Sequence, residues 1–359
     1  MSGAFNADLL RVARQARGWS QTELSRRSGV SQANLSKLEN GLIGPTDEVL
    51  DRVSDALHFP ESLFFEPDRM LGLPMSVHPM YRKKASVGQR GLERLEAELN
   101  IRLLHIRRLL KSAEFEPELP LPEMDIDEFG GDPEQIAALV RRTWLVPTGP
   151  MKNLVGWVER AGCVVVQCEF AALSVDGVTI SSPGMPPCIF LNRNQPADRQ
   201  RFSLSHELGH IVMHRVPSPT MEDEANSFAS ALLMPAREIR PYLSGRLTIQ
   251  KLAALKPVWR VSMQALLFRA KTIGAITANQ SQYLWRQISA LGYRRSEPPE
   301  LEFPAEEPDV LPEMIRVHIE DLGYEIKDLC SVLHVFEDDL RSIHSLPGKL
   351  GGPNLRVVK

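Results

Sequence analysis

What this 359-residue chain lacks narrows its class first. No apolar run approaches the roughly 20 residues that a membrane-spanning helix needs. No charged-then-apolar stretch of the signal-peptide kind is seen near the N-terminus, so a cytoplasmic protein without membrane contact is expected. Cysteine is scarce: Cys163, Cys168, Cys188 and Cys330 are scattered, and no pair has zinc-finger spacing. Cys163 and Cys168 are five apart on an apparent strand, so pleating turns them to opposite faces and both read as small buried apolar residues. Positive charge is not in excess either. At a net charge of −3, any contact with nucleic acid has to come from a local patch. The balance of 43% hydrophobic and 24% charged residues is that of a soluble globular protein, long enough for two or three domains.

What is present centres on Ser205-His206-Glu207-Leu208-Gly209-His210, an H-E-x-x-H pattern. On a helix, residues four apart share a face, so His206 and His210 can offer two imidazole nitrogens to one Zn²⁺. Glu207 projects beside them, where it can take a proton from a water. Leu208, Ile211 and Val212 supply the apolar face that buries the helix. The helix should follow a strand, and Cys188 to Asn192 reads as one. A carboxylate on a second helix is the usual third ligand of such a site, and Glu222-Asp223-Glu224-Ala225-Asn226 supplies two choices. Glu222 is preferred, with Asn226 on its face to orient a ligand; Glu224 is the alternative. His214 continues the spacing, but it would sit about 6 Å further along the axis than the metal, so packing or a supporting role is expected.

The N-terminal stretch carries a different signal. A helix from Leu9 stops at Arg17-Gly18. Ser20-Gln21-Thr22-Glu23 is a capping box that opens a second helix, which stops at Gly29. Ser31 caps a third helix, closed by Gly41. Two short helices joined by a glycine turn make a helix-turn-helix. Leu24, Val30, Leu35 and Leu38 are expected in the core, with Pro45, Leu50, Val53 and Leu57 in the helices that complete the bundle.

Two resemblances follow from these residues. W-S-Q-T-E-L, G-V-S-Q-A-N-L-S-K-L-E-N-G and Pro45 resemble the Cro/repressor-type (XRE family) helix-turn-helix domains. The run from Pro196 to Phe202, then H-E-L-G-H, E-x-E-A-N-x-F-A and L-L-M-P, resembles the ImmA/IrrE family of metallopeptidase domains. The first implies a lambda-repressor-like bundle whose third helix enters the major groove of double-stranded DNA. Gln32, Ala33, Asn34 and Lys37 are then the base readers. Gln21 and Ser36 suit phosphate or supporting contacts. Few flanking cations imply a homodimer on a two-fold operator. The second resemblance implies a zincin-like α+β fold, a zinc-dependent endopeptidase and a regulator protein as substrate. His206, His210 and Glu222 would be the metal ligands and Glu207 the catalytic base, with Tyr242 a candidate oxyanion donor. An edge strand would bind the substrate as an added strand.

Between and beyond these segments the reading is coarser. Tyr81-Arg82-Lys83-Lys84 opens a basic stretch. Leu92, Leu95, Leu99, Leu103, Ile106 and Leu110 mark a basic amphipathic helix, expected to pack on the peptidase domain, the alternatives being to lie on the DNA backbone or to pair between subunits, and to be ended by Pro117, Pro120 and Pro122. Val175-Asp176-Gly177-Val178 carries the Asp-Gly hairpin signal. Pro298 to Pro312 reads as a linker. Shifting the first domain by 305 positions aligns Leu24, Val30, Leu35 and Leu38 with Leu329, Val335, Leu340 and Ile343, while Glu337, Asp338 and Asp339 replace the base readers. Three acids repel phosphates, so a protein-facing module is expected there, with a loose tail after Pro347.

The expected fold class is multidomain, mainly α with a small sheet. The segments are a helix-turn-helix domain at 1–70, a connector at 71–130, a zinc metallopeptidase domain at 131–275 and a C-terminal helical region at 276–359. The expected function is a DNA-binding regulator that cleaves a partner repressor or itself. The alternatives are a sensor-type repressor, or an antitoxin, whose metal-binding domain does no proteolysis.

Overall fold

The structure is a computed structural model that describes residues 3–67, 89–170, 175–344 and 355–357. The basic stretch at 81–84 and most of the tail after Pro347 lie outside the described residues. The protein is mainly α, with 16 α-helices and a three-stranded sheet among the described residues. By compactness it forms two units. One gathers 1–116, 170–174 and 309–359, and the other gathers 117–169 and 175–308.

The first unit opens on α1 (Ala7–Ala16), whose Asn6 side chain accepts from Asp8 and Leu9 amides. Ser20 caps α2 (Gln21–Ser28) by accepting from the Glu23 amide at 3.1 Å. The reciprocal half of the expected capping box does not form. The Glu23 carboxylate instead binds Arg26 and Arg27, which follow it by three and four positions on the same face. Gly29 turns the chain in the left-handed region, and α3 (Gln32–Glu39) follows from its Ser31 cap. With α4 (Asp47–Leu57) these helices bury Leu24, Val30, Leu35, Leu38, Leu50, Val53 and Leu57. The next helix, α5 (Gln89–Leu109), packs on α1, and its leucine stripe belongs to this unit and not to the second. Its Arg108 is buried and pairs with Glu66 at 2.5 Å, a partner no local pattern indicated. α5 stops at Leu109, before the prolines, and β1 (Ala113–Phe115) intervenes.

The second unit holds α6 (Pro133–Thr143), α7 (Leu154–Arg160) and a sheet of β2 (Val164–Cys168), β3 (Gly177–Ile180) and β4 (Cys188–Asn192) in the order β2-β4-β3. β4 runs parallel to β2 and antiparallel to β3, with Val178 opposite Phe190. The Asp-Gly signal is therefore not a tight hairpin. Gly177 is not among the positive-φ glycines, and it begins β3, which pairs with the later strand. Its lack of a side chain serves a close approach: a Cβ there would stand 3.2 Å from the Glu207 Cγ.

α8 (Ala197–Met213) carries the H-E-x-x-H residues and packs along α9 (Met221–Leu233). Leu204, Leu208, Val212, Phe228 and Leu232 fill the seam. Gly209 lets the helices close, since a Cβ would come within 3.0 Å of the Phe228 ring. α10 (Ala236–Leu243), α11 (Ile249–Trp259), α12 (Met263–Thr272) and α13 (Ala278–Ala290) complete the unit.

The proline-rich stretch expected as a linker is bound along the second unit. Glu297 accepts the Met263 and Gln264 amides at the start of α12 and pairs with the buried Lys256 at 2.8 Å. Glu306 accepts the Val155 amide at 3.0 Å and binds Arg201, both side chains being buried. Prolines here remove donors while acidic side chains make the attachments.

The chain then returns to the first unit with α14 (Val310–Arg316), α15 (Ile326–Leu333) and α16 (Glu337–Ile343), and β5 (Leu355–Val357) pairs antiparallel with β1. Leu329, Val335 and Leu340 are buried. Asp339 pairs with Arg17 at 2.6 Å and Asp338 with His58 at 2.9 Å, so these acids meet the end of α1 and the end of α4 within the same chain.

Candidate metal centre and nucleic-acid interface

α8 and α9 bring three donors together. His206 Nε2 and His210 Nε2 are 3.0 Å apart. Glu222 Oε2 is 3.4 Å from the first and Glu222 Oε1 is 3.5 Å from the second. Donors around a tetrahedral Zn²⁺ with bonds of about 2.0–2.1 Å stand about 3.3 Å apart, so this spacing fits one ion. The hydrogen bonds agree with that fit. His206 Nδ1 faces Asn226 Oδ1 at 3.0 Å, an acceptor, which favours a proton on Nδ1 and turns Nε2 towards the other two donors. Glu222 Oε1 is buried without a hydrogen-bond partner. Two imidazole nitrogens and a buried carboxylate oxygen without a hydrogen-bond partner, at this spacing, are a donor set that one cation would join.

Glu224, the alternative third ligand, is turned away and meets His214 Nε2 at 2.9 Å. His214 Nδ1 in turn lies 2.9 Å from His210 Nδ1. His214 continues the series after His210, whereas nothing in the H-E-x-x-H spacing hinted at its contact with Glu224.

Glu207 is buried beside the three donors, and Thr179 Oγ1 of β3 donates to its Oε2 at 2.7 Å. Burial pushes the Glu207 carboxyl up from its ordinary value, while His206 and the Thr179 hydroxyl pull it down less strongly. Burial lowers His210, and the adjacent His206 lowers it further. Burial also works against charge on His206, but Glu222 and Glu207 outweigh it and hold that imidazole above its ordinary value. For Glu222, burial is outweighed by His206 and His210, which keep it ionised. Tyr242 does not join this cluster; its ring packs edge-on against Trp259 at 5.7 Å. A cavity of about 850 Å³ opens nearby, with Phe202, Phe268, Trp285 and Tyr293 among its walls and Asn226 at its edge.

On the helix-turn-helix, Gln32, Ala33 and Lys37 are exposed, and Gln21, Asn34 and Ser36 are half-buried. Gln32 Nε2 donates to Gln21 Oε1 at 2.9 Å, and Gln21 Nε2 donates to Glu39 Oε2 at 2.9 Å. Glu39 is buried and held by Arg14 at 2.6 and 2.8 Å, so a buried ion pair anchors the exposed glutamine. Ser36 accepts from Asn40 Nδ2 through its carbonyl at 2.7 Å. Arg14 and Glu39 were not singled out in the sequence, where each looks like an ordinary helix-surface charge.

Two known families match separate parts of the chain. The helix-turn-helix family matches residues 10–64. The family described as the IrrE N-terminal-like domain, of the M78 peptidases, matches residues 158–271. The HTH-type transcriptional regulator SutR of Escherichia coli (strain K12) is 36% identical over 63 residues, which are 18% of this chain and 35% of that protein. The chain thus spans about a third of the length of that relative. An XRE-type helix-turn-helix and an M78, IrrE N-terminal-like domain are therefore joined in this one chain.

Proposed function

We propose that this protein is a DNA-binding transcriptional regulator whose second unit is a zinc-dependent endopeptidase acting on a regulator protein, either a partner repressor or the chain itself. The observation that carries the reading is the meeting of His206, His210 and Glu222, with Glu207 buried alongside. Zinc held by those three side chains would lower the pKa of a water towards about 7 and polarise a peptide carbonyl. Glu207 accepts the proton of the attacking water and delivers it to the leaving amine, and its raised pKa suits both halves of that transfer. β3 is an edge of its sheet and touches Glu207 through Thr179, so a substrate laid along that edge brings its scissile bond to the base.

The DNA-binding half of the proposal rests on the helix-turn-helix and on the exposed start of α3. Gln32, Ala33, Asn34 and Lys37 read bases, Gln21 and Ser36 contact phosphate or support the readers, and a homodimer matches a two-fold operator. Gln21, clasped by Glu39, presents Gln32 with little freedom to lose on binding.

The aromatic-lined cavity favours a second reading, a sensor-type repressor in which a ligand in that cavity acts through Asn226 without proteolysis. One experiment separates the two. New protein N-termini and promoter occupancy are compared in cells carrying wild type or Glu207→Gln, with zinc supplied, under ordinary growth, DNA damage and phage stress. A cleavage product made only by wild type, at unchanged promoter occupancy, supports the peptidase and names its substrate. Identical N-termini under all three conditions, with both proteins on the same promoters, reject it in favour of the sensor.

A further inference from the structure

His214 and Glu224 lie outside the three-donor cluster, yet both are tied to it. α8 ends at Met213, and His214 is its C-cap with φ −115° and ψ 88°. The His214 amide still donates to the His210 carbonyl at 3.0 Å, so the ring stands one turn beyond His210, with centroids 5.0 Å apart. Nδ1 faces Nδ1 at 2.9 Å, and the far nitrogen of His214 meets Glu224 Oε2 at 2.9 Å.

The placement of hydrogens follows from the chain of partners. A carboxylate only accepts, so His214 Nε2 carries a hydrogen. The Nδ1 of a neutral His214 is then bare and must accept. His210 Nδ1 must therefore donate, and His210 Nε2 keeps the lone pair that a metal needs. Unlike His206, which gets its orientation from one amide oxygen, His210 meets a group that can donate or accept. Glu224 removes that ambiguity.

We propose that Glu224 and His214 form an outer relay that fixes the metal-binding tautomer of His210, making both of them positioning residues for the metal centre. This rests on the metal-centre reading given above, and it assigns Glu224 a place one imidazole removed from the ligands. The side chain of His214 is 3% exposed and that of Glu224 is 20% exposed, so water competes poorly for the His214 nitrogens.

The test measures zinc affinity on the full chain by competition with a chromophoric chelator, which needs no catalytic turnover. His214→Leu and Glu224→Ala should each weaken zinc binding by about 10–100-fold. The double variant should be no weaker than the worse single one, because either change breaks the same relay. His214→Gln, which keeps one acceptor and one donor, should restore most of the affinity. The absorption spectrum of bound Co²⁺ should be that of wild type in every variant, since the ligands are unchanged. Should His214→Leu fail to fold, Glu224→Gln carries the test, because an amide can donate to His214 and reopen the choice; it too should weaken binding.

Tight wild-type binding with all variants within twofold of it overturns the relay alone. An altered Co²⁺ spectrum in Glu224→Ala makes Glu224 a ligand and overturns it as well. A wild type that binds no zinc removes the centre, and the relay with it.

Discussion

At the scale of single residues, Glu207 depends on a group that no spacing or motif marks out. Thr179 is 28 positions earlier, on β3, and its hydroxyl donates to Glu207 Oε2 at 2.7 Å. A hydrogen bond to a charged group contributes about 1.5–3 kcal/mol. Thr179→Val keeps the branched shape and removes the hydroxyl, so kcat on a cleaved peptide should fall about 10-fold or more with KM little changed. Thr179→Ser should recover most of the rate. Equal rates for Val, Ser and Thr at this position would show that the hydroxyl does not hold the base. His206, Glu207 and His210 were legible because a helix turns spacing directly into a shared face. Glu222 was legible as one of two choices, since both lie in the first turn of α9. What the spacing could not show is the tie of His214 to Glu224, because that partner lies on α9.

At the scale of elements, the metal helix is pinned by a strap. Arg201, one turn before Ser205 on α8, is buried and donates to the Met151 carbonyl at 2.6 Å and the Arg260 carbonyl at 3.1 Å besides binding Glu306. Glu306 arrives from the proline-rich stretch beyond α13. Removing one partner of a buried ion pair costs about 3–5 kcal/mol, because the other charge stays buried without compensation. Glu306→Ala should therefore destabilise the second unit by about that much, read from urea midpoints at pH 7, and Glu306→Gln by less. A change under about 0.5 kcal/mol would place Arg201 and Glu306 among pairs that water already screens. Local signals misread this stretch and α5 for one reason. Prolines and a leucine stripe announce a chain's own conformation and its apolar face, but not the surface it lands on. The Asp-Gly pair failed similarly: Asp176 is held by Arg199 at 2.7 Å, and Gly177 makes room for Glu207, so tertiary contacts and not turn geometry explain both residues.

At the scale of the whole molecule, the helix-turn-helix and the M78 domain were legible because each carries its own periodic pattern and short motif. That residues 309–359 close on the first unit was not, since it depends on side chains more than 200 positions apart. One of those contacts has a consequence for the unit's response to acid. His105 of α5 and His344, just after α16, meet at 2.9 Å between Nδ1 and Nε2, both buried. Burial pushes His105 well below its ordinary value, with His344, Arg102, Arg108 and His334 adding to the effect. Burial, helped by Arg102, brings His344 down to about 3. Both imidazoles are thus neutral in the folded unit, while in the unfolded chain they charge near pH 6.5. Below that pH the unfolded chain binds more protons, so stability is full above about 6.5 and is lost as pH falls towards 3, by up to about 1.4 kcal/mol per pH unit for each group. Hydrogen exchange on the full chain at pH 7 and pH 5, corrected for intrinsic rates, should show peptides from 90–109 and 326–343 losing protection. The double replacement His105→Leu with His344→Leu should reduce that loss, because two of the unit's buried imidazoles no longer have to charge; His318 and His334 remain. Protection that is the same at both pH values in wild type would mean that the pair is already accommodated as a charged one, and the closure of the C-terminal helices on α5 would then owe nothing to its neutrality.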